Sequence, residues 1–309
     1  MNKLLFGLIF LGIISESKSQ TQASKAYTLI VGLKVINEKF YSYTYHRRYN
    51  NKGIAGVDYD CEVVQRIAEE NNHDVTVLRD ANATRKNILV ALKEIGEKIQ
   101  RDTGVVLFTF YFSGHGDSLP DLNGDEVVTK YDVALVAYDG FVVDDEINQL
   151  LLKYFTRSQN IMMVDACHSG SDYKLMMALD FMKPKSKYGF LSMSNETMAV
   201  EQQADFADCS FSNMQTINEP YNLIYFGAVD DDQSAIGTAY GGAFTSCLGK
   251  VIQDFRILRN WDQMTYQDLA CKIEYELQWY HQKMVYKEIG PNVHQYTNHP
   301  PFKINNYEN

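Results

Sequence analysis

The sequence predicts an α/β fold: a three-layer αβα sandwich with a mainly parallel central sheet. Two observations carry that prediction. Short β-rich runs alternate with helical patterns along most of the chain, the order expected of strand–helix–strand units. Val105–Phe112 (VVLFTFYF) is apolar on both faces, as a strand in the middle of a parallel sheet must be.

Taken in order, Tyr27–Leu33 reads as a buried strand. Asp60–Asn71 carries Val63, Val64, Ile67 and Ala68 at helical spacing and reads as a helix, with Asp60 at its opening where a cap would sit. Asp74–Leu78 is a second strand. Thr84–Gln100 puts Ile88, Leu89, Leu92, Ile95 and Ile99 on one face of a second helix. After Val105–Phe112 come strands at Val133–Ala137 and Ile161–Val164, separated by a helix at Asp144–Phe155. Gly189–Met193 and Leu223–Val229 are later strands, and Phe244–Phe255 and Thr265–Gln282 later helices. Residues 195–222 form the longest stretch without periodicity, a length that in a compact domain marks a functional or mobile loop. Residues 25–307 are read as one domain, with no internal repeat and no low-complexity linker.

The N-terminus is set apart. A short positive start at Met1–Lys3, an apolar run at Leu4–Ile14 and a polar stretch with small residues at Ser15–Gln20 have the layout of a secretory signal peptide. The run is too short to span a bilayer as a helix. Residues 1–19 are therefore expected to be removed, leaving a soluble protein in the secretory pathway, either extracellular or in a vacuolar lumen. Asn82-Ala83-Thr84 and Asn195-Glu196-Thr197 are glycosylation acceptors that suit this route.

The chain has 309 residues and a formal net charge of −10, with 45% hydrophobic and 22% charged residues. That balance speaks against nucleic acid, which needs clustered Lys and Arg, and favours a basic partner. No C-x-x-C pair suggests structural zinc among Cys61, Cys167, Cys209, Cys247 and Cys271. An odd count in a secreted protein leaves at least one free thiol, which is expected at Cys167; the other four allow up to two disulfides in three pairings, or none.

The chemistry is read from two strand ends. Val105–Phe112 runs into Ser113-Gly114-His115-Gly116, and Ile161–Val164 runs into Asp165-Ala166-Cys167-His168-Ser169-Gly170. Ligands of open α/β sheets bind at the carboxyl ends of the strands, so parallel strands would deliver His115 and Cys167 to one edge. An imidazole beside a thiol takes its proton or stabilises the thiolate, and can then protonate a leaving amine. The backbone amides of Gly116 and Cys167 are placed to receive the developing oxyanion. This chemistry needs no cofactor. The two residues lie 52 positions apart, and caspase-type peptidases place the histidine roughly 50 residues before the cysteine.

Tyr111–Gly116 (YFSGHG) and Asp165–Ser171 (DACHSGS) resemble the two catalytic blocks of metacaspases, in the wider caspase-like peptidase family. Gly53–Cys61, Leu78–Ile88 and Gly241–Leu248 (GGAFTSCL) resemble further blocks of that family in the same order, so the resemblance covers about residues 27–280. It implies a caspase-like sheet of six or more strands and cysteine endopeptidase activity. It also implies cleavage after Arg or Lys, through a pocket matching Asp60, Ser113 and Asp165. Two carboxylates and a hydroxyl suit a guanidinium or an ammonium. Asp60 as a helix cap and Asp165 as a structural carboxylate remain open readings, and Val57 departs from the family's cysteine at that position. Activation by calcium is implied as well, with Asp144 and Asp145 matching paired aspartates and Asp132 a third ligand; the alternative is that Asp144 and Asp145 serve a helix start. Lys174 stands where a further aspartate is expected, and Asp121–Glu126 reads as a solvated turn.

The stretch Tyr188–Gly249 holds no Lys or Arg and eight acidic residues, whereas Lys174, Lys183, Lys185 and Lys187 precede it. An enzyme that cuts after basic residues would then process itself within 174–187. The expected partners are protein or peptide substrates with basic residues. The competing readings are a caspase-like peptidase with Asn or Asp specificity, as in legumain-type enzymes, and an inactive binding protein on the same fold. An acidic pocket argues against Asp, whose carboxylate would be repelled.

Overall fold

The structure, a computed structural model, describes residues 25–37, 39–41, 53–120, 131–166, 219–229, 235–238, 240–258 and 265–290. Cys167, residues 1–19, the window 174–187, the strand expected at Gly189–Met193 and the turn at Asp121–Glu126 lie outside them.

The central sheet has six strands: β1 (Lys25–Gly32), β2 (Asp74–Arg79), β3 (Val106–Ser113), β7 (Ser158–Asp165), β8 (Asn222–Gly227) and β11 (Val285–Ile289). Their spatial order is β11-β8-β7-β3-β1-β2. All pairs are parallel except β11 with β8. The chain builds β1 and β2 outward on one side, then crosses back to place β3 and β7 on the other. The order therefore reverses between β1 and β3, and the crevice beyond their carboxyl ends is where such sheets bind ligands.

Helices cover both faces. On one, α2 (Arg85–Arg101) and α3 (Asp144–Tyr154) bring Ile88, Leu92, Ile147, Leu151 and Phe155 onto Phe108, Phe110, Phe112 and Val164. On the other, α1 (Val57–Glu70), α4 (Ala243–Leu258) and α5 (Tyr266–Leu277) bring Val64, Phe244, Leu248 and Leu269 onto Leu107, Tyr111, Ile161 and Met163. Each phenylalanine of β3 is buried to 1% or less, and such a side chain contributes up to about 3 kcal/mol. The α/β sandwich with a mainly parallel sheet is therefore as expected.

Four differences matter. Val133–Ala137 forms strand β5 (Tyr131–Ala137), but outside the main sheet: it lies between β4 (Gly116–Pro120) and β6 (Gly140–Val143) in a separate antiparallel sheet. Strand β11 was not expected, because VYKEI is short and carries two charges in five positions. A small hairpin of β9 (Gly237–Thr238) and β10 (Gly241–Gly242) precedes α4. Helix α1 begins three residues before Asp60, behind Gly56 in the left-handed region (φ 92°). Asp60 is therefore not a cap but a first-turn residue whose amide already bonds Gly56 O at 2.9 Å. Among the described residues no helix is long and apolar enough to cross a membrane.

Candidate functional site

Register decides which residues meet. In β3 the even-numbered side chains face α2 and α3, and the odd-numbered ones face α1 and α4. Strand β7 alternates likewise, with Met162 and Val164 on the first face and Ile161 and Met163 on the second. Ser113 and Asp165 are register partners at the last position of each strand, and both fall on the α1/α4 face by this alternation. There they meet Asp60 from α1 and the start of α4.

The contacts are specific. Ser113 Oγ donates to Asp60 Oδ2 at 2.9 Å, and Gly242 N donates to Asp60 Oδ1 at 2.7 Å. Thr245 donates to Asp165 Oδ2 twice, from N at 3.2 Å and from Oγ1 at 2.7 Å. With the Thr245 hydroxyl proton so used, the Tyr111 hydroxyl donates to Thr245 Oγ1 at 2.6 Å. Two glycines permit the approach. A Cβ on Gly242 would lie 2.2 Å from Asp165 Oδ2, and one on Gly241 (φ 112°) 2.6 Å from Asp60 Oδ1. The GGAFTSCL stretch thus has a physical role: it brings backbone against two carboxylates and lets Thr245 reach one of them.

Asp60, Ser113 and Asp165 are buried to 2%, 3% and 6% exposure. Neither carboxylate has a basic partner among the described residues. Burial raises both above the ordinary carboxylate range, Asp60 further by the charge of Asp165, while the hydrogen bonds oppose the rise. The pair is a buried acidic site with polar but, among the described residues, no cationic compensation.

His115 sits one residue beyond Gly114, between β3 and β4. Gly114 N donates to Asp165 O at 3.3 Å, and Val136 N donates to His115 O at 2.9 Å, so the turn is held against both β7 and β5. The imidazole is half-buried; burial lowers its pKa to about 4, against the opposing charge of Asp117. It is neutral at physiological pH, the form that accepts a proton. Gly116 opens β4 and pairs with Leu135.

The described cysteines narrow the search for a nucleophile. Cys61 and Cys247 are free, buried and pushed up to about 12 by burial, which makes them inert. Cys271 is disulfide-bonded, and with Cys61 and Cys247 free its partner is Cys167 or Cys209.

The three candidate calcium ligands are less concentrated. Asp132 lies on β5 opposite Leu119, and Asp144 is the first residue of α3, both buried. The Asp145 amide donates to Asp144 Oδ1 at 3.0 Å, and Glu146 Oε2 reaches back to Val143 N at 3.3 Å, so this acidic turn serves the helix start. Among the described residues no group of three or more His, Cys, Asp or Glu could hold a metal ion. Two buried carboxylates fit a hard cation in kind, but a full site needs further oxygens from outside the described residues.

The sequence comparisons agree with one another. The family model described as the caspase domain of C14 peptidases matches residues 35–303. Metacaspase-1B of Neosartorya fischeri is 26% identical over 63% of this chain and 52% of its own length. Metacaspase-1A of Aspergillus niger is 25% identical over 74% of this chain and 64% of its own. The chain thus spans between about half and two thirds of the curated relatives it matches. A crystal structure of a protein from Geobacter sulfurreducens superposes with a TM-score of 0.62 at 21% identity, covering 90% of this chain and 98% of that one; at that identity it speaks to the fold.

Proposed function

The chain belongs to the caspase-domain peptidase family, and on that premise we propose that it is a cysteine endopeptidase in which Cys167 attacks and His115 moves the proton. The observation that carries this is the register of β3 with β7: Ser113 opposes Asp165, and each catalytic residue follows its strand end by two positions. Cys167 directly follows Ala166 in sequence, and the carboxyl end of β7 lies beside that of β3, from which His115 emerges. His115 takes the thiol proton, sulfur bonds the scissile carbonyl carbon, and the oxyanion is received by the amides of Gly116 and Cys167. The protonated imidazole then gives its proton to the leaving amine, and water, deprotonated by the same ring, releases the acyl group. A free Cys167 requires Cys271 to pair with Cys209.

The primary specificity is for Arg or Lys, through Asp60, Ser113 and Asp165. Two buried carboxylates without a basic partner among the described residues favour a cation and repel Asp or Glu. Self-processing within 174–187 follows from that preference. Calcium, held by Asp144, Asp145 and Asp132 with further oxygens, would supply a fixed positive charge that orders the segment around α3. Delivery through the secretory pathway by residues 1–19 completes the reading.

The test is a panel of fluorogenic peptides ending in Arg, Lys, Asn or Asp, with and without calcium. Cleavage after Arg and Lys alone is expected; cleavage after Asn or Asp would overturn the specificity, and no cleavage of any peptide the activity itself. The pocket makes a sharper demand at Gly242. Gly242→Ala pushes a methyl into Asp165, and hydrolysis after Arg is expected to fall about 10²-fold with the far-ultraviolet dichroism unchanged. Wild-type rates in this variant would show that the close approach has no functional consequence.

A further inference from the structure

We propose that the groove between α2 and α3 is a docking site for an acidic amphipathic helix of a partner protein. The groove lies on the outer surface of the helical layer, is an open trough of about 500 Å³, and belongs to neither the dyad nor the acidic pocket. Its α2 wall carries Arg85, Lys86, Leu89 and Lys93, and its α3 wall Glu146, Leu150, Lys153 and Tyr154. Four cations face one anion, in a chain whose net charge is −10. A local excess of positive charge on an acidic protein sets the sign of the partner.

Those cations are only partly satisfied among the described residues. Arg85 pairs with Glu146, which ties the two helices together at one end of the groove. Lys93 reaches Glu97 on its own helix at a loose 3.6 Å. Lys86 forms no ion pair among the described residues, and Lys153 only overlies the Tyr154 ring at 5.0 Å. Between the cations the groove is apolar. Leu89, Leu150 and Tyr154 are half-buried, and Val90 on the rim is 41% exposed. Residues 85, 89 and 93 repeat every four positions along α2, and 146, 150 and 153 nearly so along α3. The walls therefore run about 10–12 Å, two helical turns. An apolar trough of that length between rows of cations fits a short helix with Leu on one stripe and Glu or Asp beside it.

The probe is a fluorescein-labelled 18-residue peptide with that pattern, titrated by anisotropy into the full chain carrying Cys167→Ala. That background keeps the probe intact and makes the result independent of whether the chain is a peptidase. Saturable binding is expected, weakening at least tenfold between 50 and 500 mM salt. The triple variant Lys86→Glu, Lys93→Glu, Lys153→Glu is expected to weaken it at least tenfold with an unchanged melting temperature, since all three side chains are exposed. Should the triple variant misfold, Lys86→Glu alone with at least a threefold loss is the substitute. A scrambled peptide of the same composition must bind at least tenfold less well. Equal binding by the scrambled peptide, no binding by the patterned one, or capture only by vesicles containing phosphatidylserine would each overturn the proposal.

Discussion

Replacing Cys167 by alanine, or His115 by alanine, is expected to lower kcat/KM on a peptide ending in Arg by at least about 10³-fold, with the fold intact. The expectation follows from what surrounds each residue. His115 is neutral because it is buried, so at neutral pH it is a base without a proton to spare. As the proposed base it calls for a thiol beside it. Cys61 and Cys247 are excluded by burial and thiol pKa values near 12, and Cys271 by its disulfide. Cys167 follows a strand whose last residue is in register with the last residue of the strand before His115. Alkylation should report the same choice: iodoacetamide at pH 7 is expected to modify Cys167 and to spare Cys61 and Cys247. Labelling confined to Cys209, with activity retained in Cys167→Ala, would sink the assignment. The two alanine variants should also not add, because nucleophile and base act as a unit.

The parts of this site that sequence disclosed are those carried by local pattern. The apolar run of β3 and the S-G-H-G that ends it are contiguous, so periodicity and glycine content were enough to place His115 at a strand end. The expected helices at Thr84–Gln100 and Asp144–Phe155 fell within a residue or so of α2 and α3, because each presents an unbroken apolar stripe. What stayed hidden depends on contacts distant in sequence. Gly242 reaches Asp60 across 182 positions, and Thr245 reaches Asp165 across 80. Nothing local in GGAFTSCL says that its amides and hydroxyl are spent on carboxylates. The paired glycines just ahead of a helix were the one available signal. Asp60 stands at the expected helix opening because the apolar spacing read there starts at Val63; buried Val57 and Cys61 extend the same stripe toward the N-terminus and move the start. Strand β5 was recognisable as a strand, but alternation cannot distinguish the main sheet from a separate hairpin sheet.

Asparagine at Asp60 should separate activity from stability in opposite directions. Asp60→Asn keeps an acceptor for Gly242 N and a group for Ser113 Oγ, so the geometry survives while one buried charge is removed. Hydrolysis after Arg is expected to fall about 10²- to 10³-fold, since losing one partner of a desolvated charge pair costs on the order of 2–5 kcal/mol. Cleavage after an uncharged isostere such as norleucine should change little. Stability should move the other way, with the sign set by linkage. Asp60 and Asp165 titrate higher in the folded chain than in the unfolded one, where carboxylates titrate near about 4. The stability they contribute is therefore full below about pH 4 and is lost as pH rises through their raised folded values toward neutrality. The wild-type melting temperature should accordingly decline across that window more steeply than that of Asp60→Asn. The variant should melt several degrees higher at pH 8, and the two should converge at pH 4. A guanidinium ligand such as agmatine supplies the missing cation. It should restore most of the wild-type deficit at pH 8, do little at pH 4, and do little for the variant. Equal losses on Arg and norleucine peptides, or a variant no more stable than wild type at pH 8, would remove the two carboxylates from the account of specificity and leave them as structural groups.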